Sequence, residues 1–417
     1  MHKIERLLQT LAPKGVEFKT LEEVFEIRNG YTPSKNNPEF WENGTIPWFR
    51  MEDIRENGRI LKDSIQHITP KALKGKKLFP KNSIIISTTA TIGEHALLIV
   101  DSLANQRFTF LSKKANCDLA LDMKFFFYQC FLLGEWCKNN INVSGFASVD
   151  MTAFKKYKFP IPPLEIQQEI VKILDAFTEL NTELNTELKA RKKQYEYYQN
   201  MLLDFNDINQ NHKDAKMSVK TYPKRLKTLL QTLAPKGVEF RKLGEVCDFQ
   251  KGKSITKKAV TFGKVPVISG GRQPAYYHDE ANRSGETIAI SSSGVYAGYV
   301  SYWDIPVFLA DSFSVSPKQK TLMPKYLFHY LTTQQDAIHA TKSTGGIPHV
   351  YSKDLQNFLI PIPPLEIQQE IVKILDQFSA LTTDLLAGIP AEIKARKKQY
   401  EYYREKLLTF KSLQNKE

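Results

Sequence analysis

Cysteine and histidine are sparse in this chain, and neither is spaced for metal or redox chemistry. The four cysteines among 417 residues, Cys117, Cys130, Cys137 and Cys247, form no C-x-x-C pair, which excludes a zinc ribbon or a dithiol redox motif. Reduced, partly buried thiols are the reading left. The eight histidines are scattered and give no H-E-x-x-H, the spacing that sets two imidazoles on one helix face around zinc. No metal or cofactor is expected in this chain. No apolar run approaches the roughly 20 residues that span a bilayer. The opening MHKIERLLQTLAPKG has neither an apolar h-region nor a small-residue cleavage site. The expectation is a cytoplasmic protein with no membrane partner.

Catalytic loops are missing too. Adenine methyltransferases hold the flipped base with a D/N-P-P-Y/F loop, and the only P-P pairs here stand in the two copies of IPPLE. The GKS at 252–254 is not a P-loop, because the first glycine of G-x-x-x-x-G-K-S would fall on Cys247. ELK (187–189) and EIK (392–394) match the tail of a nuclease E-x-K, but both lie in helical stretches and read as a charged solvent face. A self-sufficient methyltransferase or nuclease therefore lacks its motifs. Acid is in short supply: 45 Asp and Glu against 58 Lys and Arg leave a formal charge of +13. That excess favours a polyanionic partner, and fits less well with a coiled-coil scaffold that has no DNA role.

What the chain does have is repetition. LLQTLAPKGVEF occupies 7–18 and 229–240, PIPPLEIQQEIVKILD 160–175 and 361–376, and KARKKQYEYY 189–198 and 394–403. The order is the same in each half, so the chain is two direct repeats of about two hundred residues, too long a period for a solenoid. Between the repeated blocks lie two inserts, 19–159 and 241–360, whose sequences barely resemble each other. A constant frame thus carries two different inserts.

The frame reads as helix. Pro162 and Pro163 suit a helix start. Ile170, Leu174, Phe177, Asn181, Leu184 and Leu188 then follow at alternating steps of three and four, continued by Tyr195, Tyr198, Leu202 and Phe205, the heptad seam of a coiled coil. From 164 to 205 such a helix is about 60 Å long, and its own duplicate is the nearest partner for the seam. Two copies related by a pseudo-twofold axis run antiparallel, returning the end of the second helix to the first LLQTLAPKG. The first copy carries the reiterated tetrapeptide of TELNTELNTEL (178–188). The second is four residues longer between its flanking blocks, with Gly388 and Pro390 expected to break or kink it. The polar stretch 206–220 reads as a linker. In the inserts, SIIIST (83–88) and TIAISS (287–292) read as buried strands, and KFFFYQCFL (124–132) and KYLFHYLTT (325–333) as helices, so the inserts are expected to share a fold. The expected class is α+β: two mixed α/β domains separated by a pair of long antiparallel coiled-coil helices, with internal pseudo-twofold symmetry. The boundaries expected are 1–160 and 223–360 for the two mixed domains, 161–205 and 361–417 for the helices, and 206–222 for the linker.

The pattern resembles a known family. Insert one opens with NGYTPSKNNPEFW and GTIPWFRMEDI (29–54), insert two with KGKSITK and VPVISGG (251–271), and each leads to a helix starting PIPPLEIQQ. The whole chain resembles the specificity subunit of type I restriction-modification systems; insert two departs from it, lacking the T-P and I-P-W forms. The resemblance implies a non-catalytic DNA-binding subunit in which each insert is a target recognition domain reading half of a split, asymmetric site. It also implies helices that set the gap and dock two modification (methyltransferase) subunits, with restriction (motor-nuclease) subunits joining through them. S-adenosylmethionine, ATP and Mg would then belong to those partners.

Phosphate contacts want Lys, Arg, hydroxyls and backbone N–H; base edges want Arg, Asn, Gln, Ser and Thr. On that basis the loop candidates in insert one are Tyr31, Thr32, Lys35, Trp48, Arg50, Thr89, Gln106, Arg107, Ser144 and Ser148. In insert two they are Lys253, Thr256, Lys257, Arg272, Gln273, Tyr276, Ser292, Tyr296, Thr344 and His349. The tyrosines and Trp48 serve equally as core residues. The KARKKQ stretches (189–194, 394–399) offer cations for phosphates between the half-sites, or a plain solvated face.

Overall fold

The structure, a computed structural model, describes residues 2–142, 147–206, 222–318, 320–343, 346–383 and 388–412. Most of the expected linker, 207–221, lies outside the described residues. The chain divides into two compact units: unit 1 is Met1–Glu183 with Ile393–Glu417, and unit 2 is Leu184–Glu392.

Unit 1 has a five-stranded sheet in the order Phe25–Asn29, Phe108–Lys113, Ile84–Ser87, His95–Leu98, Ile60–Leu61. A three-stranded sheet, in the order His67–Ile68, Ile46–Phe49, Leu103–Ala104, shares a core with it. Both faces of the central strands are buried, as the unbroken apolar run Ile84, Ile85, Ile86 requires. One face packs on the helix Met123–Asn139, which begins on Asp122 as its N-cap. The other packs on Phe40, Trp48, Phe49 and Phe79.

Unit 2 repeats the plan with fewer strands. Its larger sheet runs Cys247–Lys251, Ser312–Pro317, Thr287–Ser291, Val300–Trp303, and its smaller one Tyr276–His278, Val265–Ile268, Phe308–Leu309. The helix Pro324–Thr333 takes the place of Met123–Asn139. The two expected strands and two expected helices of the inserts are all present, and the mixed α+β class holds for both units.

The repeated blocks explain themselves within each unit. In unit 1 the strand Glu17–Thr20 pairs antiparallel with Lys158–Ile161, Glu17 opposite Ile161. In unit 2 Glu239–Lys242 pairs with Leu359–Ile362, Glu239 opposite Ile362. Each pair delivers the chain to the double proline and a helix. The buried Gln167 then staples that helix to the insert: its Oε1 accepts from the Asp122 N–H (2.8 Å), and its Nε2 donates to the carbonyls of Ala120 (2.8 Å) and Pro162 (2.7 Å). Gln368 does the same with Met323, Thr321 and Pro363. Two turns further on, Asp175 binds Lys124 Nζ (2.6 Å) and the Tyr128 hydroxyl (2.6 Å). Asp376 binds Lys325 Nζ (2.6 Å) and His329 Nε2 (3.0 Å).

The first frame helix is continuous over Leu164–Leu203. The second is in two pieces, Leu365–Thr383 and Ile389–Leu408, with Pro390 in the first turn of the second piece, where its missing N–H costs nothing. In unit 1, Ile166, Ile170 and Leu174 share a core with Leu407 and Leu408, while Phe177, further along, stacks on Tyr403 at 5.7 Å. In unit 2, Leu202 and Phe205 share a core with Ile367, Ile371 and Leu375, while Tyr198 stacks on Phe378 at 5.1 Å. Both pairings are antiparallel, and both use the same Phe–Tyr stack. Each unit therefore takes the start of one helix copy and the end of the other. The first LLQTLAPKG meets the returning chain as expected: Leu7, Leu8 and Ala12 join the core that holds Leu407 and Leu408, and the Val16 N–H donates to the Lys411 carbonyl at 3.0 Å.

Candidate nucleic-acid interface

The site in unit 1 is built where strands of the two sheets end together. Asn29 closes the edge strand of the larger sheet, and Gly30 follows. A Cβ on Gly30 would run into the carbonyl oxygens of Asn105 and Ala104, so only glycine lets the two loops touch. The Tyr31 N–H donates to the Ala104 carbonyl (2.7 Å), and the Tyr31 carbonyl accepts from the Trp48 indole (2.9 Å). The Thr32 hydroxyl donates to Gln106 Oε1. These bonds border a cavity of about 330 Å³ whose polar lining includes Thr32, Lys35, Arg50, Arg55, Gln106 and Arg107, with Glu52 as the one acid among the described lining residues. Arg50 Nε has no hydrogen bond among the described residues and sits 3.9 Å from Glu52 Oε2. Cations and amide dipoles around an open hollow suit the electronegative edges and phosphates of a nucleic acid.

Six of the ten candidates in insert one thus have defined places on or around this cavity: Tyr31, Thr32, Lys35, Arg50, Gln106 and Arg107. Trp48 lines it from below. It is 2 % exposed and packed edge-on against Trp41 at 5.0 Å, so its role here is to hold the floor rather than to reach outward. Thr89 and Ser148 form a neighbouring bridge between two loops, close in sequence to the lining residues Ser87 and Thr91. Ser144 lies outside the described residues. The spacing of residues did not reveal Arg55, Thr91 or Asn105; Arg55 follows Met51 by one helical turn, and that i, i+4 step to a lining residue was the available signal.

Unit 2 builds the same corner. Gly252 stands where Gly30 does: a Cβ would sit 2.6 Å from the carbonyl oxygens of Ala310 and Leu309. Those oxygens repel a phosphate, which is the structural reason that GKS is no anion cradle. The Lys253 N–H donates to Leu309 (2.9 Å), as Tyr31 does to Ala104. The turn 291–298 carries Ser292 and Tyr296. The Val350 N–H donates to the Ser292 carbonyl (2.9 Å), and Ser293 bridges to His349, which stacks on Tyr351. Arg272 lies over Tyr296 (4.9 Å) and Tyr299 (5.6 Å), a cation–π arrangement. Arg272, Ser292, Tyr296 and His349 therefore come together. Thr256, Lys257, Gln273 and Tyr276 are exposed, but no hydrogen bond or ring contact among the described residues joins them to that cluster. Thr344 lies outside the described residues.

The strongly shifted titratable groups sit in the cores instead. His95, fully buried beside Arg59, is pushed down to about 3, chiefly by burial. Burial pushes the Cys137 and Cys247 thiols up to about 12. Among the described residues no group of three or more His, Cys, Asp or Glu side chains is placed to hold a metal ion, and no helix is long and apolar enough to cross a membrane.

One fold is used twice, with unlike polar side chains at the same loop ends, and the cations at both corners suit a polyanionic partner. The comparisons with known proteins agree. The sequence profile of the type I restriction modification DNA specificity domain matches residues 13–193 and 235–395. The type I restriction enzyme EcoprrI specificity subunit of Escherichia coli is 40% identical over 400 residues, 92% of this chain and 93% of that one. The EcoR124I/EcoR124II specificity subunit of the same organism is 32% identical over 287 residues, 62% of this chain and 64% of that one. In fold, the chain is similar to the crystal structure of the type I restriction-modification S subunit from M. genitalium, with a TM-score of 0.59 and 18% identity over 94% of this chain and 96% of that one. The chain belongs to the family of type I restriction-modification specificity subunits. It is a DNA-recognition subunit, and catalysis falls to its partners in the restriction-modification complex.

Proposed function

We propose that each unit reads one half of a split, asymmetric DNA site. The observation that carries this is the pair of loop corners: one hydrogen-bonded frame, closed by Gly30 in unit 1 and Gly252 in unit 2, offers Thr32, Arg50, Gln106 and Arg107 in one case and Lys253, Arg272, Ser292, Tyr296 and His349 in the other. Equal frames with unlike donors are what two unlike half-sites require. The recognition domains are 1–160 and 223–360; each runs directly into its own helix, 161–205 and 361–417, and the linker 206–222 joins the first helix to the second domain. The helices set the gap between half-sites and dock two methyltransferase subunits, through which motor-nuclease subunits join. S-adenosylmethionine, ATP and Mg act in those partners, and the complex works in the cytoplasm.

The remaining candidates, Thr89, Ser148, Thr256, Lys257, Gln273 and Tyr276 among them, act as phosphate or base contacts around the two corners. Labelled S-adenosylmethionine and DNA tests the division of labour. The purified chain alone transfers no methyl groups, and adding modification subunits starts transfer at specific sites. DNA turnover by the purified chain without partners would overturn it.

A further inference from the structure

We infer that the residue just before the second strand of each large sheet, Arg107 in unit 1 and Asp311 in unit 2, is a specificity-determining position filled with opposite hydrogen-bonding chemistry. The inference rests on the DNA-reading function and adds to it the class of base each unit prefers.

The equivalence of the two positions comes from the backbone. The Arg107 carbonyl accepts from the Thr88 N–H (3.2 Å), and the Asp311 carbonyl from the Ser292 N–H (3.0 Å). The Val149 N–H donates back to the Thr88 carbonyl, and the Val350 N–H to the Ser292 carbonyl, both at 2.9 Å. On the other side, the Asn105 N–H donates to the Phe49 carbonyl (3.1 Å) and the Ala310 N–H to the Ile268 carbonyl (2.8 Å). The strand registers agree, with Ser87 opposite Phe108 and Ser291 opposite Ser312. Unit 1 spends three residues, Asn105, Gln106 and Arg107, where unit 2 spends two, Ala310 and Asp311. In both, the last residue of the loop sits at the centre of the polar corner.

The side chains differ in kind. Arg107 is exposed, lines the cavity with Thr32 and Gln106, and its guanidinium makes no hydrogen bond or ion pair among the described residues. A guanidinium fork matches the O6 and N7 acceptors of guanine in the major groove. Asp311 is half-buried, and its Oδ2 accepts from the Ser293 hydroxyl, which leaves no hydrogen bond on Oδ1 among the described residues. A carboxylate on a DNA-facing corner is repelled by phosphates and by the O6 of guanine and the O4 of thymine. The groups it suits are the exocyclic amino groups of cytosine and adenine. Discrimination then comes from rejection as well as attraction. Arg272, stacked on Tyr296 and Tyr299, supplies the positive charge that keeps this corner compatible with DNA. Unit 1 thus prefers a guanine at its position, and unit 2 a cytosine or adenine.

The test uses the full chain assembled with modification subunits, with methylated positions mapped over a random-sequence DNA library. Arg107→Lys keeps the charge and removes the fork; Asp311→Asn keeps the shape and an acceptor for Ser293. For Arg107→Lys, preference for guanine falls about 10- to 100-fold at one position of one half-site, and the other half-site is unchanged. For Asp311→Asn, one position of the other half-site admits guanine or thymine, whose O6 or O4 accepts from the new amide. An unchanged motif with uniformly lower methylation would make these residues phosphate contacts and overturn the inference; so would a change in both half-sites from one variant. A wild-type complex that methylates no split site would overturn the DNA reading beneath it, and that result is visible before any variant is made.

Discussion

Gly30 and Asp376 show how single residues carry the site and its support. Gly30 has no room for a side chain because two backbone carbonyls crowd it. Gly30→Ala forces the loops of unit 1 apart at a cost of about 1–3 kcal/mol, read as a lower Tm and as weakened recognition of one half-site only. Asp376 is pulled in two directions: burial raises its pKa, and the bonds from His329 and Lys325 outweigh burial and hold it below the ordinary carboxylate value. A depressed carboxylate contributes stability above its unfolded pKa and loses it as pH falls through the lower, folded value. Asp376→Asn is therefore less stable than the parent at pH 7, by about 1–2 kcal/mol for this part-exposed group. The gap closes as pH drops below about 4, which urea melts at a series of pH values will show.

Residue roles were the least legible part of the sequence. Lys35, Arg50, Gln106 and Arg107 were singled out because their chemistry suits DNA, and the structure gathers them around one cavity. Asp311, the position inferred above, was not singled out because its chemistry does not suit phosphates, and because the letters L-A-N at 103–105 and L-A-D at 309–311 pair it with Asn105. Backbone hydrogen bonds pair it with Arg107 instead, and no letter records a loop one residue shorter. Trp48 lost its outward role for another reason: its indole is needed under the floor, bonded to Tyr31.

At the scale of elements, the identical blocks are the parts that must fit twice. Gln167 and Gln368 each satisfy three backbone groups, and both side chains are fully buried. Gln167→Leu leaves the Asp122 N–H and the carbonyls of Ala120 and Pro162 without that partner, which costs about 2–4 kcal/mol in a chemical-denaturation measurement. This much was legible early: the heptad seam, the proline entry and the interruption at Gly388 all follow from local rules. Along the seam, Phe177, Asn181, Leu184 and Leu188 are half-buried while Thr182, Glu183, Asn185, Thr186 and Glu187 are exposed. The reiterated tetrapeptide thus runs inside an unbroken helix, as a length of about 6 Å per unit. Deleting residues 178–181 shortens the preferred gap between half-sites and leaves both half-sites as they were; altered half-site letters in that variant would refute the ruler.

For the whole molecule, the duplicated frame and the unlike corners make one claim: a single chain reads two different short sequences. Repeats of this length were visible in the sequence because the frame copies are identical. The shared fold of the inserts was visible only in outline, since strands buried on both faces constrain apolarity and not identity. The most direct test is the methylated motif of the complex assembled from the full chain and its modification subunits. Two half-sites of different sequence, a fixed distance apart, are predicted. A continuous motif, or two identical half-sites, would contradict the account.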